Sequence, residues 1–223
     1  MLKIGHRGAK GYEAENTLAS FAKAIELNVD AIELDVQVSS DGEIMVIHDA
    51  TVNRTTTESG FVSDFSAYEL KRLGIPTLEE VILFVNRRCV INIEIKEAKA
   101  TKKVLQLIEK WVYEQHWKYN QFHISSFIWE ALEEVSQYCE SEKKEISIGV
   151  LTEASVEKAL AFAIQIKADS INPYFKLLNS ENVNVLHSNE FKIYTWTVNT
   201  PEDLIFVKSL NVDGIISDFP DRI

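Results

Sequence analysis

The regular alternation of short β-branched runs with helical patterns constrains this chain more than any other feature. Strand-like runs begin near Lys3, Ala31, Val90, Gln121, Ile146, Asp169, Lys192 and Asp213. Successive starts lie 21 to 31 residues apart, the length of one strand-loop-helix-loop unit, except for one gap of 59 residues. Eight such units predict a closed (β/α)8 barrel, the TIM barrel, and leave an open doubly wound sheet as the alternative.

Helix start signals fall between the predicted strands. Thr77 and Glu80 have the spacing of a capping box, and Thr200 precedes Pro201 at a first helical position. No linker, low-complexity tract or close repeat interrupts the series. We therefore expect a single barrel domain over residues 1–223.

The 59-residue unit departs from this plan. The turn Ser39–Gly42 is too short for a crossover helix, so the following run is expected to return as an antiparallel strand and form an extra β-hairpin. Pairing Val38 with Glu43 would place His48 opposite Glu33, with Asp35 on the same face. A short insertion, about residues 49–76, then precedes the next strand.

Charge and hydropathy exclude several classes of partner. The chain has 23 Lys and Arg against 34 Asp and Glu, a net charge of −11, and no basic cluster. Nucleic acid and stable association with an anionic membrane are therefore not expected, because phosphate backbones are held by local positive charge. No apolar run approaches the length of a membrane span or a secretory signal, and we expect a cytoplasmic location.

Polar residues at predicted strand ends indicate a site, because parallel strands normally read as nearly continuous apolar runs. The first three barrel strands carry His6 and Arg7, Glu33 and Asp35, and Glu94 and Lys96. In a barrel these carboxyl ends meet on the face where active sites are built.

The residue types at these ends indicate phosphodiester hydrolysis. Glu33, Asp35 and Glu94 would repel one another unless they bound a divalent cation, and an all-oxygen ligand set favours Mg²⁺ or Ca²⁺, or Mn²⁺, over Zn²⁺. Two histidines, His6 and His48, can divide acid and base roles near neutral pH. Positive charge from Arg7 and Lys96 would favour a substrate phosphate.

Two further residues are candidates for the pocket wall. Trp196 ends the seventh predicted barrel strand, and His123 lies beside Ser125 and Ser126 in the fourth.

The sequence resembles the glycerophosphodiester phosphodiesterases. The matching stretches, in family order over nearly the whole chain, include His6-Arg7-Gly8, Glu15-Asn16-Thr17, AIELDV at 31–36, His48-Asp49, NIEIK at 92–96 and WTVN at 196–199. Ala14 stands where the family usually has proline before Glu-Asn-Thr.

The resemblance implies a TIM barrel that uses a divalent cation to hydrolyse diesters such as glycerophosphocholine or glycerophosphoethanolamine to glycerol 3-phosphate and an alcohol. It implies metal binding by Glu33, Asp35 and Glu94, acid-base catalysis by His6 and His48, and phosphate contacts from Arg7 and Lys96 with support from Glu15. Two alternatives remain. They are a lysophospholipase-D-type enzyme acting on lipid-bearing diesters and a noncatalytic metal- or phosphate-binding barrel. The sequence leaves the oligomeric state open.

Overall fold

Nine strands and eight α-helices alternate along the chain in a computed structural model that describes residues 1–223. The strands are β1 Leu2–Gly5, β2 Ala31–Val38, β3 Ile44–Val46, β4 Val90–Ile95, β5 Phe122–Ser126, β6 Ser147–Thr152, β7 Ser170–Pro173, β8 Lys192–Thr195 and β9 Gly214–Ser217. The helices are α1 Leu18–Glu26, α2 Ala67–Arg72, α3 Leu78–Val85, α4 Thr101–Gln115, α5 Trp129–Glu142, α6 Val156–Ile166, α7 Ser180–Ser188 and α8 Pro201–Ser209.

The sheet closes into a ring of eight parallel strands. Around the ring the order is β1, β2, β4, β5, β6, β7, β8 and β9, and β1 pairs in parallel with both β2 and β9. This closure confirms the predicted TIM barrel and excludes the open sheet. Each of the eight predicted strand starts lies within one residue of an observed start.

A cluster of 48 buried residues fills the space between the barrel and its helices. Ile32 and Leu34 of β2 point outward into this core, while the alternating Glu33 and Asp35 point into the barrel. Thr77 and Thr200 cap α3 and α8, each accepting a hydrogen bond from a backbone N–H of the first turn, as their sequence context predicts.

The extra hairpin is present, but its predicted register is wrong by one residue. Val38 pairs with Ile44 rather than with Glu43. The Ser39 N–H donates to the Glu43 carbonyl over 3.0 Å, and Gly42 occupies the left-handed region at φ 82°. A three-residue loop whose last residue is left-handed therefore replaces the four-residue turn, and glycine suits that position because it lacks a Cβ.

The insertion after β3 forms a small lobe beside the barrel. It contains α2 and packs around a separate cluster of seven buried residues: Met45, Ile47, Val52, Val62, Ala67, Leu70 and Ile75. This cluster fixes the segment that carries Asp49 and Arg54 next to the carboxyl ends of β1 and β2. None of the helices combines the length and apolar character required to cross a bilayer.

Candidate active site

A cavity of about 370 Å³ opens at the carboxyl ends of the barrel strands. The predicted site residues that line it are His6, Arg7, Glu33, His48, Glu94, Lys96 and Trp196. Asp35 is almost completely buried beside them, and Glu15 lines an adjoining cavity that shares His48. The structure thus brings nine of the ten candidate residues to one face of the barrel, and His123 is the exception.

Three buried carboxylates form the floor of this cavity. One ligand atom from each of Glu33, Asp35 and Glu94 lies within 4.8 Å of the others. Burial raises the pKa of Glu33 well above its ordinary value, and the charges of Asp35 and Glu94 raise it further. Burial, followed by the charge of Asp35, raises the pKa of Glu94 to about 7. The pKa values stay raised although Arg7 and Lys96 partly offset the repulsion, and this arrangement of oxygen ligands fits a divalent cation at the site.

Arg7 joins the carboxylates to the residues around them. Its backbone N–H donates to Glu33 Oε2 over 2.8 Å. Its side-chain Nη1 donates to Glu15 Oε1 over 2.7 Å, and its Nε lies 3.3 Å from Asp35 Oδ2. Burial alone would lower the pKa of Arg7, but the charges of Asp35, Glu33 and Glu15 outweigh it and raise the pKa. The guanidinium is therefore a fixed positive charge at the cavity wall.

Lys96 supplies a second positive charge across the same floor. Its Nζ lies 2.6 Å from Glu94 Oε1 and 3.7 Å from Asp35 Oδ1, and it also lies 3.2 Å from His48 Nε2. Burial would lower the pKa of Lys96, but the charges of Glu94 and Asp35 outweigh this and raise it. An anion entering between Arg7 and Lys96 would meet two charged donors.

His6 is oriented by Asp218, a carboxylate that was not predicted to belong to the site. Its Nδ1 lies 2.6 Å from Asp218 Oδ1, so its Nε2 is free to face the cavity. Asn199 Nδ2 donates to the other oxygen of Asp218 over 2.8 Å. Burial lowers the pKa of His6 below its ordinary 6.5, although the hydrogen bond to Asp218 opposes this. His6 is therefore largely neutral at neutral pH.

His48 reaches the site by a different route from the predicted strand pairing. Strand β3 ends at Val46, and the Ile47 N–H donates to the Asp35 carbonyl over 3.0 Å. Gln37 Nε2 then donates to the His48 carbonyl over 3.1 Å. These two bonds turn the chain so that His48 faces the cavity despite the shifted register. Its Nδ1 lies 2.6 Å from Asp49 Oδ1.

A chain of ion pairs runs from Arg7, the residue after His6, to Asp49, the partner of His48. Arg54 Nη1 and Nη2 donate to the two oxygens of Glu15 over 2.7 and 2.8 Å, and Arg54 Nε donates to Asp49 Oδ2 over 2.7 Å. Burial raises the pKa of Glu15, but the hydrogen bond from Arg54 and the charge of Arg7 outweigh it and lower the pKa to about 2. Arg54 thus links Arg7, through Glu15, to the partner of His48.

An aromatic wall faces the charged floor. The rings of Trp196 and Phe127 meet edge to face with centroids 5.4 Å apart, and Trp196 Nε1 donates to the Asn172 carbonyl over 2.8 Å. His123 does not belong to this wall. It lies near the start of β5 and lines a separate cavity with Tyr194 at the opposite end of the barrel.

Four residues of the site were not predicted from the sequence: Asp49, Arg54, Asn199 and Asp218. Asp218 directly follows β9, so its position at a strand end was a usable signal. Asp49 is the residue next to His48. Nothing in the linear sequence connects Arg54 with Glu15, because their contact depends on how the insertion packs.

Comparisons with known proteins identify the family of this chain. The sequence profile of the Glycerophosphoryl diester phosphodiesterase family matches residues 6–222. The chain belongs to this family. A glycerophosphodiester phosphodiesterase from Caldanaerobacter subterraneus subsp. tengcongensis is 34% identical over 100% of this chain and 96% of its own length.

Solved structures show the same barrel. A glycerophosphodiester phosphodiesterase from Thermotoga maritima has a TM-score of 0.84 at 30% identity, covering 99% of this chain and 96% of its own. An Oleispira antarctica phosphodiesterase in complex with the product sn-glycerol-3-phosphate has a TM-score of 0.86 at 24% identity, covering 99% and 94%. Family membership makes the chain a hydrolase of the phosphodiesterase type, with an acidic trio compatible with a divalent cation.

Proposed function

We propose that this member of the family hydrolyses glycerophosphodiesters such as glycerophosphocholine and glycerophosphoethanolamine to glycerol 3-phosphate and the free alcohol. The observation that carries the proposal is one cavity lined by two histidines, two basic side chains and two carboxylates, with the third carboxylate, Asp35, buried beside them. The whole chain acts as one catalytic domain, and we expect it to work in the cytoplasm on small-molecule substrates.

Arg7 and Lys96 bind the phosphate in this proposal. Both are charged at neutral pH and they lie by different oxygens of Asp35, Arg7 next to Glu15 and Lys96 next to His48. A diester phosphate placed between them would replace part of the internal pairing of Lys96 with Glu94 and His48. Glu15 acts indirectly, because it holds the Arg7 guanidinium in place.

Glu33, Asp35 and Glu94 would hold the divalent cation, with Mg²⁺ or Ca²⁺ favoured by their oxygen ligands. A cation held there would supply positive charge against the phosphate and a ligand position for the attacking hydroxyl group. Asn16 keeps Asp35 in place, since its Nδ2 donates to Asp35 Oδ2 over 2.9 Å.

His6 serves as the general base and His48 as the general acid. Burial keeps His6 neutral, and Asp218 holds its Nδ1 proton so that Nε2 can accept a proton from the attacking hydroxyl. Asp49 similarly occupies Nδ1 of His48. Lys96 donates to His48 Nε2 in the free enzyme, so a phosphate that draws Lys96 away frees this nitrogen to take up a proton from water and then donate it to the departing alcohol oxygen.

Two substrates distinguish these roles. His6→Ala and His48→Ala are assayed on glycerophosphocholine and on a nitrophenyl phosphodiester, with bound metal checked in each variant. The His48 variant should recover on the nitrophenyl substrate because a nitrophenolate leaves without a proton, whereas the His6 variant should stay impaired on both. The opposite pattern would exchange the two roles, and a near-normal rate in either variant would remove that histidine from the chemistry.

A further inference from the structure

The arrangement of strands around the barrel places Glu153 across the mouth from the phosphate-binding side. Glu153 follows β6, and in the ring of eight strands β6 is four strands from β1 in either direction. His6 and Arg7 follow β1, so Glu153 faces them over the cavity that all three residues line. A substrate anchored beside β1, β2 and β4 can extend one ester arm toward this far wall.

The far wall combines a free negative charge with aromatic rings. Glu153 is exposed and forms no ion pair or side-chain hydrogen bond. Phe127 and Trp196 lie on the same wall, and the hydrogen bond from Trp196 Nε1 to the Asn172 carbonyl fixes the indole. Aromatic rings beside a carboxylate are suited to an ammonium group, whereas glycerol offers no charge to either.

Lys96 determines which part of the far wall is available to a substrate ammonium group. Its Nζ lies 5.7 Å from the centroid of the Phe127 ring, so the end nearest the phosphate already carries a cation. A substrate ammonium avoids this charge by lying farther out, toward Glu153. The spacing between phosphate and ammonium in a head-group ester allows such a separation, because two or more atoms join the two groups.

We propose that Glu153, with Phe127 and Trp196, forms a subsite that selects diesters with a cationic head group, such as choline or ethanolamine. This inference rests on the proposed function, since the subsite is defined relative to the bound phosphate. Glu153 contributes to specificity rather than to bond cleavage, because it lies opposite the histidines and the carboxylate floor.

The test compares kcat/KM for glycerophosphocholine with kcat/KM for glycerophosphoglycerol, whose head group is neutral, at low ionic strength. Glu153→Gln should lower the choline-to-glycerol ratio about two- to fivefold, the size expected of one partly exposed charge. Glu153→Lys should lower it further, and added salt should lower the wild-type ratio toward that of Glu153→Gln. Glu157→Gln is the matched control, because Glu157 is also exposed, four residues farther along the chain in α6, and does not line the cavity.

The outcomes separate this inference from the proposed function. Failure of the wild type to release glycerol 3-phosphate from any of these diesters would overturn the proposed function and the subsite together. Activity with an unchanged ratio in Glu153→Gln would overturn the subsite alone. An equal loss on both substrates would also overturn it, since Glu153 would then contact the glycerol arm common to both.

Discussion

Replacing Asp218 with asparagine should disable the proposed base without disturbing the phosphate site. Asn199 decides how the new amide is oriented, because its Oδ1 accepts from the Asp218 N–H over 2.9 Å and from Ser217 Oγ over 3.0 Å. These two bonds fix the Asn199 amide, so its Nδ2 still points at the side chain of residue 218 and requires an acceptor there. The amide oxygen turns toward Asn199, and the amide NH₂ faces His6 Nδ1 in place of Asp218 Oδ1. His6 Nδ1 must then accept, which moves the imidazole proton to Nε2, the nitrogen that should abstract the proton.

A positioned base contributes about 10²- to 10⁴-fold to a rate. We expect Asp218→Asn to lower kcat on glycerophosphocholine about 10²- to 10³-fold, about 2.7 to 4 kcal/mol of activation free energy. KM should change little, since Asp218 contacts neither Arg7 nor Lys96. Loss of the Asp218 charge also lowers the pKa of His6 further, so the acid limb of the residual kcat/KM profile, below pH 6.5 in the wild type, should move to lower pH.

Asp213→Asn provides the control. Asp213 lies at the opposite end of β9 and also pairs with a histidine, His187, over 3.0 Å. The same chemical change there should leave kcat near that of the wild type. A kcat for Asp218→Asn within about threefold of the wild type, in a folded protein, would refute the orienting role of Asp218.

Two further predictions concern the basic residues. Arg7→Ala should raise KM and lower kcat/KM about 10- to 100-fold for every glycerophosphodiester, because a charged hydrogen bond to the common phosphate is lost; a loss confined to one head group would show that Arg7 contacts the alcohol instead. Arg54→Ala should lower kcat/KM about tenfold by releasing both Asp49 and Glu15, while exposed Arg72→Ala on the same insertion should not; equal kinetics for these two variants would contradict the linking role of Arg54.

The barrel could be predicted from the sequence because each of its units carries its own local signals. Buried apolar runs mark the strands, and caps such as Thr77 and Thr200 mark helix starts. In the extra hairpin, by contrast, local sequence signals do not determine the strand register. Residues 39–42 fit a three- or a four-residue loop, and the pairing of Val38 with Ile44 distinguishes the two registers.

The site was predictable to the extent that its residues lie at strand ends. Glu33, Asp35 and Glu94 converge because adjacent parallel strands hold them in register, with Asp35 directly beside Glu94. Arg54 comes from a lobe whose packing brings together residues 39 positions apart. His123 was wrongly predicted at the pocket wall, because a polar residue on a short strand can lie at either end of the barrel. Only the strand boundaries decide which end it is.

The most direct test is the release of glycerol 3-phosphate from glycerophosphocholine by the purified wild-type chain, measured before and after exhaustive treatment with EDTA and after addition of Mg²⁺ or Ca²⁺. We expect release before chelation, its loss when the Glu33, Asp35 and Glu94 site is stripped, and recovery with at least one of the two ions. Full activity after exhaustive chelation would contradict the metal role of the three carboxylates. No release of glycerol 3-phosphate with either ion would contradict the proposed function itself.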